Sequence, residues 1–229
     1  AQYLQLVLGL TPLQAGLAMV PSALAFVAGS LLAPKLARRL PAASVLVWGL
    51  VAAAIGLAML AGVDGRFGLW LLIAGAVVMS LGLAPVFTIG NEMIITAAPP
   101  ERAGAASAIS ETAAEFSGAL GIAVFGSLGT ALYRHTLAGT MPAGVPAGAA
   151  ADALATLGGA SAAAATLPTA TGAALFAAAR AAFVDALQLA VLVGAAIILF
   201  ACIVTARILR GGPGPRSSAS SANTAAEGG

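Results

Sequence analysis

The amino-acid sequence predicts an all-α membrane protein, a bundle of transmembrane helices, from three observations. Of its 229 residues, 60% are hydrophobic and only 8% are charged, whereas soluble domains carry about 25% charged residues. The mean hydropathy is +1.02. Several apolar runs are each about 20 residues long, the length that a helix needs to cross a hydrocarbon core of ~30 Å. A soluble domain is therefore excluded, and the lipid bilayer is the first expected partner.

Charge and cysteine content argue against several other classes of protein. The formal net charge is +2 and the ten basic residues are scattered along the chain, so we expect no nucleic-acid partner. The single cysteine, Cys202, cannot form an intrachain disulfide. The sequence contains no Gly-rich phosphate loop with its Lys, no metal-spaced cluster and no Ser–His pair within a span. We therefore expect neither a cofactor nor an enzyme.

The first part of the chain is predicted to contain a truncated span and four transmembrane helices. Residues 1–10 resemble the end of a span, and no initiator Met or basic leader precedes them, so we expect the chain to be a fragment of a longer protein. Residues 13–132 are predicted to form four helices joined by short loops. The predicted spans are 13–34, 45–63, 69–89 and 103–132, with a basic loop at 35–41 and a polar turn at 64–66.

The second part is predicted to contain one more span between two irregular segments. Residues 133–182 are rich in Ala, Gly and Pro and show no firm helical period, which predicts an external loop with at most one short surface helix. Residues 183–209 are predicted to form the last transmembrane helix. Residues 210–229, rich in Gly, Ser and Ala, are predicted to form a disordered tail.

The loop charges predict the orientation of the bundle. Because successive loops alternate between the two sides of the membrane, the positive-inside rule places the side with more basic residues in the cytoplasm. This assigns the C-terminus to the cytoplasm and the 133–182 loop to the outside. The cytoplasmic group is Lys35, Arg38, Arg39, Arg102, Arg207, Arg210 and Arg216, against Arg66, Arg134 and Arg180 outside.

The candidate site is a pair of carboxylates, Glu111 and Glu115, in the fourth span. Four residues make about one helical turn, so both side chains lie on the same side of the helix. They lie roughly 12 Å and roughly 18 Å past Ala103, well inside the membrane if the span begins there. An acid at the centre of a span costs about 2.5–3.5 kcal/mol, and two such neighbours cannot both ionise cheaply. We expect the pair to hold a proton and to release it when a cation arrives.

A simpler interpretation places the membrane boundary at Phe116. The 18 residues from 116 to 133 just suffice to cross a bilayer, and both glutamates would then be solvated at the interface. The apolar character of residues 103–108 favours the intramembrane interpretation.

Two further acids are candidate pathway residues, Glu92 near the cytoplasmic end of the third span and Asp185 near the start of the last. Each has a simpler interpretation as an interfacial residue, because long polar side chains near helix ends commonly reach water. The fourth span also carries a run of glycines that predicts close helix packing, either static or sliding. These glycines are Gly118, Gly121, Gly126 and Gly129.

Two stretches of the sequence resemble the fourteen-span drug:proton antiporters of the major facilitator superfamily. The pattern Tyr3-Leu4-Gln5-x3-Gly9-x-Thr11-Pro12-Leu13-x-Ala15-Gly16 is similar to the junction of their ninth and tenth spans. Residues 102–127 are similar to their thirteenth span. In the quaternary-ammonium-exporting branch, that span carries a Glu and a second acid four residues later, linked to proton coupling and cation recognition. Glu111 and Glu115 match these positions, whereas Pro34-Lys35 departs from the family's basic-loop signature.

The resemblance implies the C-terminal half of a major facilitator fold, with about five full spans plus a partial first span. It implies a secondary active transporter that exports drugs or lipophilic and cationic compounds across the bacterial inner membrane. Protons, small-molecule substrates and a missing N-terminal half would be its partners. The alternatives are a major facilitator carrier of another solute, such as a secreted metabolite, and a membrane protein that does not transport.

Overall fold

The computed structural model describes residues 2–63 and 68–211, and in this part of the chain every regular element is a helix. A short π-helix, Tyr3–Val7, comes first, and short 3-10 turns follow the second α-helix and precede the fourth. The α-helices are α1 (Pro12–Arg39), α2 (Ala42–Met59), α3 (Gly68–Thr96), α4 (Ala103–Gly139), α5 (Ala147–Ala155), α6 (Leu157–Thr166) and α7 (Thr169–Gly211).

Five segments of the described chain are long and apolar enough to cross a membrane. This confirms the predicted all-α bundle of about five full spans, and the chain is a multi-pass membrane protein. The segments are Pro12–Arg39, Ala42–Gly62, Gly68–Thr96, Pro100–Gly139 and Thr169–Ile208.

The start of α1 is determined by its local sequence. Gly9 has φ +70°, a conformation that glycine adopts without the strain that a Cβ imposes, so the chain turns after the π-helix. The Thr11 hydroxyl then accepts a hydrogen bond from the backbone N–H of Gln14, and the Gln14 side chain accepts one from the N–H of Thr11. This capping box satisfies two of the free N–H groups at the helix start.

The predicted basic loop at residues 35–41 is wrong for most of its length, because α1 continues through it to Arg39. Pro21 and Pro34 both lie inside the helix, as membrane helices tolerate. Arg38 and Arg39 occupy the last turn, where positive charge interacts favourably with the helix dipole. The basic residues therefore end a helix, and the actual connection to α2 is short.

The prediction of an irregular loop at residues 133–182 is also wrong, because this segment is largely helical. It contains the end of α4, all of α5 and α6, and the first turns of α7. Alanine has the highest helix propensity of all residues, and the prolines stand before helices: Pro146 caps α5 and Pro168 precedes α7. We call residues 133–182 the helical cap.

The helical cap also changes two predicted helix boundaries, the start of the last helix and the end of the fourth. The last helix begins at Thr169, 14 residues before the predicted start at residue 183. The helix that contains the fourth predicted span begins at Ala103 but ends at Gly139 rather than at residue 132. The predicted polar turn at 64–66 and residues 212–229 of the predicted tail lie outside the described residues.

The largest buried cluster lies in the helical cap, where the ends of α4 and α7 pack with α5, α6 and the π-helix. Its largest fully buried members include Leu137, Leu157 and Leu175. The buried hydroxyl of Tyr133 donates a 2.8 Å hydrogen bond to the carbonyl of Ala153. The cap is therefore a packed unit that joins one end of the fourth and last spans.

Elsewhere, α2 and α3 approach each other through opposed glycines. A Cβ on Gly82 would lie 2.5 Å from the carbonyl oxygen of Gly49, and a Cβ on Gly56 would lie 2.6 Å from that of Gly75. The glycines are seven residues apart on each helix, from 49 to 56 and from 75 to 82, so they fall on one face after two turns. Close backbone approach of this kind is a common way for membrane helices to associate.

Candidate functional site

Glu111 and Glu115 lie in the uninterrupted helix α4, one turn apart on one side as the sequence predicts. Both side chains are exposed within the described chain. The only buried residues of α4 are Tyr133 and Leu137, far from the carboxylates in the helical cap. The part of α4 that bears the acids therefore presents a largely uncovered face.

A groove of about 710 Å³ runs between α3 and α4 beside the first of these acids. Among the described residues that line it, Glu111 alone is charged, and Glu115 lies outside the lining. The lining from α3 is Val86, Phe87, Gly90, Asn91 and Ile94, and that from α4 is Ser110, Glu111, Ala113, Ala114, Ser117 and Gly118. The groove thus combines apolar walls, three uncharged polar side chains and one carboxylate.

A single hydrogen bond between side chains crosses this groove in the described chain. The Ser110 hydroxyl donates to the Oδ1 atom of Asn91 over 3.0 Å. The bond places an amide from α3 beside the helix position that precedes Glu111, so Asn91, Ser110 and Glu111 lie at one level of the groove.

Aromatic rings lie next to the same groove. The ring centroids of Phe26 on α1 and Phe87 on α3 are 6.5 Å apart and the rings are tilted by 55°, a favourable geometry for an aromatic pair. Phe87 is 59% exposed and is one of the residues that line the groove. An aromatic face near a carboxylate suits a lipophilic cation, since the ring attracts positive charge.

The other two predicted acids lie elsewhere. Glu92 is exposed and does not line the α3–α4 groove. Asp185 is exposed on α7 and lines a separate groove of about 460 Å³, together with Arg180 and Gln188. Arg180 donates a hydrogen bond to the backbone carbonyl of Val7. Its guanidinium carbon lies 5.6 Å from the centroid of the Phe176 ring. The structure therefore does not bring the four acids into one site.

Asn91 and Phe87 are site residues that the sequence analysis did not single out. Asn91 carried a signal, since an amide in an apolar spanning segment commonly bonds to a neighbouring helix. Phe87 carried none, because an aromatic residue in such a segment is ordinary. In residues 2–63 and 68–211 no cluster of His, Cys, Asp and Glu side chains could hold a metal ion.

The chain is similar to bacterial proteins of drug efflux and drug resistance. It is 39% identical to the multidrug efflux pump LfrA of Mycolicibacterium smegmatis over 207 residues, which are 89% of this chain and 40% of that protein. It is 35% identical to the methyl viologen resistance protein SmvA of Salmonella typhimurium, over 80% of this chain and 37% of that protein. A tetracenomycin C resistance and export protein of Streptomyces glaucescens is 30% identical over 55% of the chain.

The chain thus spans about two fifths of the length of the first two relatives. No protein-family model matches it. These relatives are efflux, resistance and export proteins, and they confirm the resemblance to drug:proton antiporters that the sequence indicated.

Proposed function

We propose that this chain, which belongs to the drug:proton antiporters of the major facilitator superfamily, supplies the proton- and cation-binding part of a drug exporter. The exporter would move lipophilic and cationic compounds across a bacterial inner membrane, driven by protons entering the cell. The observation that carries this proposal is the α3–α4 groove, in which Glu111 is the one charged lining residue among apolar and aromatic ones.

The groove supports a competition between a proton and a cationic substrate. When Glu111 is protonated, its side chain is neutral and offers no attraction to a cation. When it is ionised, it attracts a cation strongly because the surrounding walls are apolar and the dielectric is low. Glu115, one turn along the same helix, provides a second carboxylate that a divalent cation can use at the same time. Proton binding and substrate binding are then mutually exclusive at this site.

Export further requires that the site open alternately to the two sides of the membrane. We propose that α4 turns its uncovered face toward a second helical half, and that the two halves rock around the groove as in other carriers of this architecture. The length of the relatives, of which this chain matches about two fifths, supports such a second half. In this scheme Glu92 and Asp185 lie toward opposite ends of the pathway.

The test replaces the two carboxylates in the transporter expressed from its complete reading frame. Glutamine keeps the volume and the hydrogen-bonding capacity of glutamate but cannot release a proton. Glu111→Gln and Glu115→Gln are each expected to reduce substrate-induced proton release from the purified protein, and the double variant is expected to abolish it. Divalent cationic substrates should be affected most, because they can use both carboxylates. The measurement covers about pH 5 to about pH 9.

Glu101→Gln serves as the matched control, because Glu101 is an acid in the short turn before α4 and lies outside the groove. It should release protons like the wild type. If the double variant also does so, the two glutamates form only a solvated interfacial face and the proposal fails.

We propose the orientation that the loop charges predict, with the helical cap outside and the basic end of α1 inside. In a Cys202→Ala background, Ala151→Cys should react with a membrane-impermeant thiol reagent in intact cells, since Ala151 is exposed on α5. Ala37→Cys, exposed near the basic end of α1, should react only after the cells are permeabilised. The opposite pattern would invert the topology and place the C-terminus outside.

A further inference from the structure

The α3–α4 groove contains a polar pair that the exchange of a proton for a cation does not use. Asn91 and Ser110 both line the groove, on different helices, and are joined by the 3.0 Å hydrogen bond. Nothing in the competition at Glu111 requires an amide there. The amide of Asn91 therefore adds hydrogen-bond donors to the groove that the exchange of a proton for a cation does not need.

The bond determines which atoms of Asn91 remain available. An asparagine side chain has a carbonyl oxygen that accepts hydrogen bonds and an NH2 group with two donors. Ser110 donates to the oxygen, so the oxygen is engaged and the NH2 group is left to face other partners. Asn91 is exposed, so these donors are accessible to a molecule that enters the groove.

The groove around the pair is open, so the bond does not serve to close a packed helix contact. A Cβ built on Gly90 or on Gly118, which line the groove on either side, would meet no atom within 4 Å. The Ser110–Asn91 bond thus spans a gap between α3 and α4 and holds the amide within it.

We propose that Asn91 is a specificity-determining residue, which donates a hydrogen bond to an acceptor group, such as a carbonyl or ether oxygen, on an aromatic cation bound in the groove. Ser110 is its positioning residue, because its hydroxyl orients the amide. Glu111 would bind the positive charge and Phe87 the aromatic surface. This inference rests on the proposed function of the groove and names the class of substrate that the groove favours.

The test compares two cations that differ in hydrogen-bond acceptors. Rhodamine 6G is an aromatic cation with an ester carbonyl, and tetraphenylphosphonium is an aromatic cation with no acceptor. Both are measured by equilibrium binding and by export from proteoliposomes containing the complete transporter. Asn91→Leu, of similar size, should weaken rhodamine 6G binding and raise its KM about three- to tenfold, the value of one hydrogen bond. Tetraphenylphosphonium binding and export should be unchanged.

The serines provide a matched pair of variants. Ser110→Ala removes the bond to Asn91 and should weaken rhodamine 6G binding selectively, though less than Asn91→Leu does. Ser107→Ala removes a hydroxyl from the same helix, about one turn before Ser110 and outside the groove lining, and should leave both cations unaffected.

The outcomes separate this inference from the proposed function. If Glu111→Gln impairs both cations while Asn91→Leu affects both equally or neither, the proposed function stands and the role of Asn91 is refuted. If neither cation depends on Glu111, the proposed function fails and the specificity role of Asn91 fails with it. A rhodamine-selective loss in Asn91→Leu and Ser110→Ala, absent from Ser107→Ala, supports the inference.

Discussion

Glycines lie along two surfaces of this protein, the contact between α2 and α3 and the uncovered face of α4. At the first, Gly49 opposes Gly82 and Gly56 opposes Gly75, and an added Cβ would lie 2.5–2.7 Å from backbone oxygens across the contact. At the second, a Cβ added at Gly118, Gly121, Gly126 or Gly129 would meet nothing within 4 Å in the described chain. The same residue type therefore closes one interface and leaves another surface open.

The difference shows that a glycine pattern predicts a smooth helix surface but not the partner of that surface. The glycines of α4 led us to expect close packing, but a Cβ added at any of them would meet no atom within 4 Å in the described chain. The glycines of α2 and α3 pack because they are at matching seven-residue intervals on antiparallel neighbours. Residues 111–120 of α4, which include Glu111, are all exposed, so this part of the helix is uncovered on every side and not on one face only.

The largest expected effect comes from filling the α2–α3 contact. Gly82→Leu would place a Cβ 2.5 Å from the carbonyl oxygen of Gly49 and 2.6 Å from the nitrogen of Ala53, backbone atoms that cannot rotate away. We expect a loss of about 3 kcal/mol or more, beyond ordinary overpacking, and a sharp fall in the yield and Tm of the purified protein. Gly121→Leu on α4 is the control. Equal Tm values for the two variants would show that the two surfaces are not different.

A moderate effect is expected at the buried end of α4. Tyr133→Phe removes the hydroxyl that bonds to the carbonyl of Ala153 and leaves that carbonyl without this partner. The cost should be about 1 kcal/mol, seen as a lower Tm and as faster proteolysis in the 140–146 connection. Unchanged proteolysis would mean that the helical cap does not depend on this bond.

The smallest effect is expected in the middle of α4. Gly118→Ala adds a methyl group where nothing lies within 4 Å, and alanine loses less backbone entropy in a helix than glycine does. The Tm of the variant should therefore match or slightly exceed that of the wild type, within about 0.5 kcal/mol of stability. A large destabilisation would show that another part of the complete protein covers this face and that both glycine surfaces are packed.

Local properties of the sequence were sufficient to predict the five spans, the start of α4 at Ala103 and the placement of Glu111 and Glu115 on one side of it. Hydropathy and helical period depend on neighbours in the chain, so they can be evaluated without knowing the fold. The helices of the helical cap were not predicted, because residues 133–182 were assessed by their helical periodicity. Alanine is small and weakly apolar on every side of a helix, so an alanine-rich helix such as α6 shows little period even though its propensity is high.

Which residues of different helices meet depends on the tertiary structure. Asn91 and Ser110 are 19 positions apart in the chain and join across the groove, whereas Glu92, next to Asn91, lies outside its lining. Gly49 meets Gly82, while a Cβ added at any glycine of α4 would meet no atom within 4 Å in the described chain. The physical reason is that the register of two helices follows from the sum of many contacts between distant residues, and no single local pattern contains that sum.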